Sequence, residues 1–184
     1  MHMIFRILLT WLSGRKRERV SMFDTGSLPL RATLTDIDFA GHINNGMYFS
    51  IFDLGRFDLM FRSGVWDVLR SNKWTPVVQA ETMTFRKSVR LGTRFTLETQ
   101  LLGLDEKCIY FEQRIVVDGE IYARGYIATR MTSKHGAVSN EQIMAKVGVE
   151  VPADRVVPQW LLDWREASAL PGARKPAPHT WLGR

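Results

Sequence analysis

Residues 36–48 read Asp-Ile-Asp-Phe-Ala-Gly-His-Ile-Asn-Asn-Gly-Met-Tyr, which brings two carboxylates, an imidazole and two carboxamides close together. A long apolar segment with helical spacing follows at once. The first backbone N–H groups of a helix lack intrahelical partners and carry partial positive charge, so they can hold a carbonyl oxygen or an anion. A carboxylate fixed just upstream can attack such a carbonyl or draw a proton from water beside it. The arrangement suits hydrolysis of an ester or thioester.

Such chemistry needs a rigid frame, and the flanking sequence supplies one. Between Asn45 and Ser63 apolar residues point in nearly every direction, leaving a narrow polar stripe at Ser50, Asp53 and Arg56. A helix of that kind is expected to be buried on most sides. Gly55 within it permits close approach of a neighbour, and Gly64 is placed to end it. Leu28 to Thr35 reads as a first strand and Trp74-Thr75-Pro76 as part of a loop. The period then changes to two. Met83, Phe85, Val89 and Leu91 share a face, then Phe95, Leu97, Thr99 and Leu101, then Ile109, Phe111, Ile115 and Val117. Asp118-Gly119 is a hairpin signal, and residues 120–132 form a last strand. The pattern predicts an α+β fold, a curved antiparallel sheet wrapped around the long buried helix. Ser139-Asn140-Glu141-Gln142 opens a short helix through a capping box, and Pro158 to Trp164 suggests another. The chain thus divides into an apolar-basic segment (1–24), a central domain (25–135), a helical extension (136–170) and a mobile tail (171–184).

A chain of 184 residues with 45% hydrophobic and 24% charged residues fits a globular domain with terminal additions. The net charge of +6 admits an anionic partner without choosing one. Basic residues spread over all segments without aromatic interleaving, which argues against nucleic acid. A single cysteine, Cys108, excludes an intrachain disulfide and a cysteine-built zinc site, and favours a reducing, cytoplasmic setting. The apolar run Ile4 to Leu12 precedes a basic cluster at Arg15, Lys16, Arg17 and Arg19, the reverse of a signal peptide. It is shorter than the roughly 20 residues that span a bilayer. It reads either as an interfacial membrane contact through residues 1–20 or as a short helix packed on its own domain or a partner chain.

The motif from Asp36 to Tyr48, with its helix and four-strand meander, resembles the hotdog-fold acyl-CoA thioesterases of the 4-hydroxybenzoyl-CoA thioesterase type. Within that type it looks most like the branch carrying D-x-D-x-x-G-H-x-N-N, which includes long-chain acyl-CoA thioesterases. The likeness covers about residues 28–134; the motif is its specific part and the strand pattern is generic. The resemblance implies a hotdog fold and hydrolysis of an acyl thioester of coenzyme A or acyl carrier protein. It also implies a homodimer or dimer of dimers, with sheets joined edge to edge, active sites at the interface and pantetheine between subunits. No metal and no bound cofactor is implied. The catalytic carboxylate falls on the second acid of the pair, Asp38, as nucleophile or general base, and backbone N–H groups near the helix start polarise the carbonyl. A related group of hotdog thioesterases carries its carboxylate on the helix, which makes Asp53 a second candidate. The two terminal additions lie outside the family's usual core. The same fold hosts dehydratases and non-catalytic acyl-thioester binders, so activity does not follow from it alone.

Each of these residues also has a plainer role. Asp38 can cap its own turn, and Asp36 reads as a turn or strand-end residue. Gly41 allows positive φ or close approach of a ligand. His42 can orient the carboxylate or bind substrate, and hydrogen-bonding to the turn backbone is the favoured reading. Asn45 is expected to cap the helix, leaving Asn44 to support the loop or contact substrate. Met47, Tyr48, Ile51 and Phe52 line either an acyl channel or a packed core. Asp53 and Arg56 lie one turn apart and can pair. Lys87 interrupts an apolar alternation and reads as an exposed edge lysine, with contact to coenzyme A phosphates as the alternative. Nothing near Cys108 marks it as a reactive thiol.

Overall fold

The computed structural model describes residues 2–172 and 175–179. An N-terminal helix, α1 (His2–Gly14), leads to strand β1 (Gly26–Arg31), the long helix α2 (Asn45–Ser63) and the short α3 (Val65–Asn72). Four strands follow: β2 (Thr75–Phe85), β3 (Arg94–Leu104), β4 (Ile109–Val117) and β5 (Glu120–Ser133). A two-residue strand β6 (Gly136–Ala137) and helices α4 (Asn140–Val147) and α5 (Gln159–Ala167) complete the chain. The strands form one curled antiparallel sheet in the order β1-β3-β4-β5-β2, with β6 beside β5. This is the α+β architecture that the sequence pattern predicts and the hotdog fold that the resemblance implies.

Period-two patterning explains the hollow in which α2 lies. Leu97, Ile115 and Ile127 face inward and are completely buried, as are Ile51, Phe52 and Leu54 of α2. Burying a side chain of that size contributes about 2 kcal/mol. Helix and sheet touch most closely at Gly55. A Cβ there would stand 2.3 Å from Thr99 Oγ1 and 2.7 Å from Leu97 Cδ2, so no other residue fits. At the β4–β5 turn Asp118 and Gly119 take φ of 49° and 79°, the primed geometry the hairpin signal predicts.

Several sequence expectations need correction. β1 ends at Arg31, well before Thr35, because Ala32 onward turns into the motif loop. Thr75 and Pro76, read as loop, open β2, where Pro76 can sit because β2 is an edge strand with no ladder partner on one side. β2 stops at Phe85; Val89 lies beyond it and accepts a hydrogen bond from Ile43 N–H instead. Helix α3 was not anticipated, though Val65 and Leu69, one turn apart, are its buried pair. The expected mobile tail falls in part outside the described residues.

Helix α2 is less uniformly apolar in its surroundings than its composition implies. Arg56, Asp58 and Arg62 are all buried. Asp58 is enclosed where the N-terminal segment crosses α2, paired with Arg17 at 2.8 Å and Arg62 at 3.4 Å. Burial still pushes its carboxyl above the ordinary range, against the pull of both arginines. At the other end of the chain, α4 carries the predicted capping box between Ser139 and Gln142. Helix α5 lies on the outer side of the sheet, where Leu161 packs with Tyr110 and Ala128. Ile127 faces the inner core and Ala128 this outer one, as alternation requires.

Candidate functional site

The loop between β1 and α2 is held by its own polar groups. Asp36 is fully buried and accepts from Thr33 N–H at 2.9 Å and from the Thr33 hydroxyl at 2.8 Å. Arg6 of α1 donates to its other oxygen at 2.6 Å. These contacts place Asp36 in the frame of the loop, in a turn rather than at a strand end, since β1 stops at Arg31. Its carbonyl accepts the N–H of Asn44 at 2.9 Å, which sets the start of α2. Asp38 accepts from Ala40 N–H at 2.9 Å, closing a turn in which Gly41 has φ of 77°. No atom of the described residues lies within 4 Å of a Cβ built on Gly41, so within the chain it is the positive backbone angle that calls for glycine, and the space beside it is open.

Around this turn the predicted residues converge. His42 Nδ1 stands 3.7 Å from Asp38 Oδ1 and 3.3 Å from the Ile43 carbonyl. The Asp38 side chain is 18% exposed, so the carboxylate is partly dry yet reachable. A small cavity of about 140 Å³ opens on the His42 side of the pair, lined by His42, Asn45, Tyr48, Phe85, Arg86 and Lys87. Burial pushes the Tyr48 hydroxyl up, a hydrogen bond with the Val89 backbone draws it back, and the Asp38 charge adds to the rise.

The helix start differs from expectation in one respect that matters. Asn44, not Asn45, is the N-cap: its side chain accepts from Gly46 N–H at 2.9 Å while its carbonyl accepts from Met47 N–H. Asn44 has the extended backbone a cap requires, with ψ of 138°, whereas Asn45 is already helical. Two of the first N–H groups are thus occupied. The Asn45 N–H has no partner among the described residues, and the Asn45 side chain is exposed toward the cavity.

Asp53 is not part of this cluster within one chain. It lies eight positions further along α2, about 12 Å on the helix rise, half exposed and paired with Arg56. Arg56 also donates to Gln113 Oε1 at 2.7 Å and reaches Glu81 at 3.3 Å. Gln113 Nε2 in turn donates to the Phe52 carbonyl and to Thr99 Oγ1. Burial raises the Glu81 carboxyl, opposed by Arg56. This network went unread in the sequence, although Gln113 sits between Phe111 and Ile115 on a core-facing alternation where a polar residue calls for a partner.

Of the four residues read as lining either an acyl channel or a packed core, Tyr48, Ile51 and Phe52 are buried in the main core with Met47 packed against it, and Tyr48 also borders the small cavity. A separate apolar cavity of about 120 Å³ lies further along α2, with Phe57, Met60, Leu69, Leu101 and Met131 in its wall and Asp53 and Arg56 among its polar lining residues. Lys87 stands outside β2 rather than within it, exposed, over the Tyr122 ring at 5.4 Å and ion-paired with Glu120. Cys108 is buried, and burial pushes its thiol up, which keeps it unreactive.

Fold and sequence together assign the class: the chain belongs to the Thioesterase-like superfamily, whose profile matches residues 32–164. Protein THEM6 of Danio rerio is similar, 34% identical over 123 residues that make up 66% of this chain and 61% of that protein. The match therefore spans about three fifths of that relative's length. Among solved structures, the YbaW probable thioesterase of Escherichia coli aligns with a TM-score of 0.61 at 21% identity, covering 66% of this chain and 95% of that one. Slr0204, a 1,4-dihydroxy-2-naphthoyl-CoA thioesterase from Synechocystis, aligns with a TM-score of 0.59 at 10% identity, covering 67% and 95%. At these identities the two structures establish the common fold.

Proposed function

We propose that this chain hydrolyses an acyl thioester, most simply an acyl-coenzyme A, to the free acid and the thiol. Superfamily membership supports thioester hydrolysis in general, and the coenzyme A ester named for the Synechocystis protein supports the carrier. The observation that carries the residue assignment is the convergence of Asp38, His42 and the open Asn45 N–H at one end of α2. The thioester carbonyl takes the Asn45 N–H; such a preorganised donor is worth about 3–4 kcal/mol of barrier. Asp38 then acts in one of two ways. As a base it takes a proton from water, the hydroxide adds to the carbonyl carbon, and collapse expels the thiolate, which is then protonated. As a nucleophile it forms an acyl anhydride with loss of the thiol, and water hydrolyses the anhydride. His42 orients the carboxylate. Arg86 and Lys87 at the cavity mouth suit coenzyme A phosphates.

The motif branch implied by the D-x-D pair belongs to this reading, as does a homodimer. Val77, Val78 and Phe85 on the β2 edge are 39–45% exposed, and the Phe39 side chain beside Asp38 is fully exposed. Surface of that kind at a sheet edge favours a partner strand. A non-catalytic acyl-thioester binder is the second reading, and what favours it is the hydrogen bond that commits Asp38 Oδ1 to its turn.

Thiol release from short, long and aromatic acyl-coenzyme A esters tests the proposal, with Asp38→Asn and Asp53→Asn beside the wild type. Asparagine at 38 can still accept the Ala40 N–H, so that variant is expected to stay folded while turnover falls by about a hundredfold or more. Loss only in Asp53→Asn moves the chemistry to the helix. Saturable binding without thiol release in the wild type would establish the binder instead.

A further inference from the structure

Helix α1 has two apolar sides. Met3 and Ile7 pack on the main core, and Thr10 and Gly14 continue that seated line. On the opposite side Ile4, Phe5, Leu8, Leu9 and Leu12 are 45–70% exposed. Spacings of three and four residues gather these five on one face. A single exposed leucine needs no explanation, but a continuous apolar face along three turns does.

The charge around that face says what covers it. Arg15 and Lys16 follow directly at its C-terminal end, both exposed, and the Arg15 guanidinium is stacked 4.1 Å over the Trp11 ring. On the other flank Arg31 and Arg94 line an open groove that Phe5 and Leu9 also border. Glu18 and Asp118 at the margins leave the surround net positive. The helix is not a loose peptide: Arg6 ties it to Asp36, and Arg17, just beyond it, is tied to Asp58. No described helix is long and apolar enough to cross a membrane, and the 13 residues of α1 extend about 20 Å, suited to lying in an interface.

We propose that this face of α1 docks the domain on an anionic lipid bilayer, with the apolar side chains at the acyl boundary and the flanking arginines and lysine against lipid phosphates. A second copy of the chain fits less well. A two-fold contact would bring together two patches of the same net positive sign.

The test is co-sedimentation of the full chain with phosphatidylcholine vesicles, with and without phosphatidylglycerol, beside Phe5→Ser/Leu9→Ser and Arg15→Glu/Lys16→Glu double variants. The wild type is expected to sediment with the anionic vesicles and to be released by high salt. Each double variant should weaken binding by at least about tenfold. All four positions are exposed, so thermal unfolding should be unchanged. If either variant unfolds early, Leu8→Ser/Leu12→Ser and a blue shift of Trp11 fluorescence on vesicle addition give the same answer. Failure of the wild type to bind anionic vesicles, or equal binding by wild type and variants, overturns the proposal. A wild-type oligomer that ignores vesicles and dissociates in Phe5→Ser/Leu9→Ser would assign the face to a second copy. No arm of this test reads thioester turnover, so its failure leaves the hydrolase reading untouched.

Discussion

Arg6 Nη1 stands 2.6 Å from Asp36 Oδ1, and through that contact the N-terminal helix holds the first acid of the motif. Asp36 holds Thr33 with its other carboxylate oxygen and Asn44 with its backbone carbonyl. Asp36 is thus the peg on which both the Asp38 turn and the start of α2 hang, and α1 steadies the peg.

Replacing Arg6 with Met keeps the packing stem and removes the charge facing a buried carboxylate. A loss of about 2 kcal/mol in urea unfolding is expected. A change within a few tenths would show that the ion pair does not steady the loop.

The exchange of roles between the two asparagines can be read from stability alone. Asn44→Ala should cost about 1 kcal/mol, because the Gly46 N–H loses its acceptor. Asn45→Ala, altering an exposed side chain, should stay within about 0.5 kcal/mol. Equal effects would mean that capping is not what Asn44 contributes.

Gly55→Ala places a methyl against Thr99 Oγ1, Leu97 and the Gln113 amide. Overpacking there should cost about 3 kcal/mol. Combining it with Thr99→Gly, which opens the tightest contact, should return part of that loss in a double-mutant cycle. Strict additivity would show that the strain is relieved elsewhere.

Asp105 supplies a pH dependence. Burial pushes its carboxyl up, but hydrogen bonds from the Tyr110 hydroxyl and the Lys107 and Cys108 N–H groups, with the Arg165 charge, outweigh burial and hold it below its ordinary value. A carboxyl lowered on folding stabilises the protein above its unfolded value and loses that contribution as pH falls through the folded one. Wild-type stability should therefore fall below about pH 4. In Asp105→Asn the fall should be shallower and stability at neutral pH lower. Parallel pH profiles would remove Asp105 from the acid response.

Much of the frame was legible because it rests on local rules. The Asp118-Gly119 turn, the αL glycine after Ser63 and the Ser139 capping box each need only a few neighbouring residues, and each stands where the pattern put it. Strand limits were harder: β2 starts and stops according to its register with β5, which no local pattern encodes. The site divides the same way. His42, Asn45 and Tyr48 are close in sequence and border one cavity, and Asp38 stands 3.7 Å behind His42. The Arg56–Gln113–Thr99 network joins a helix to two strands far apart in the chain, so it became visible only on folding.

The outer layer laid down by α5 also bears on how copies of the chain could meet. With Leu161 seated over Tyr110 and Ala128, and the Arg155 carbonyl pressed close to Gly103, that side of the sheet is already occupied. Two copies could bring these parts of their sheets into direct contact only by displacing this layer. The open margin along β2 can still pair with its own image about a two-fold axis, and such a pair closes on itself. In the homodimer proposed above, any further association on the outer side would meet the surface of α5 where it covers the sheet.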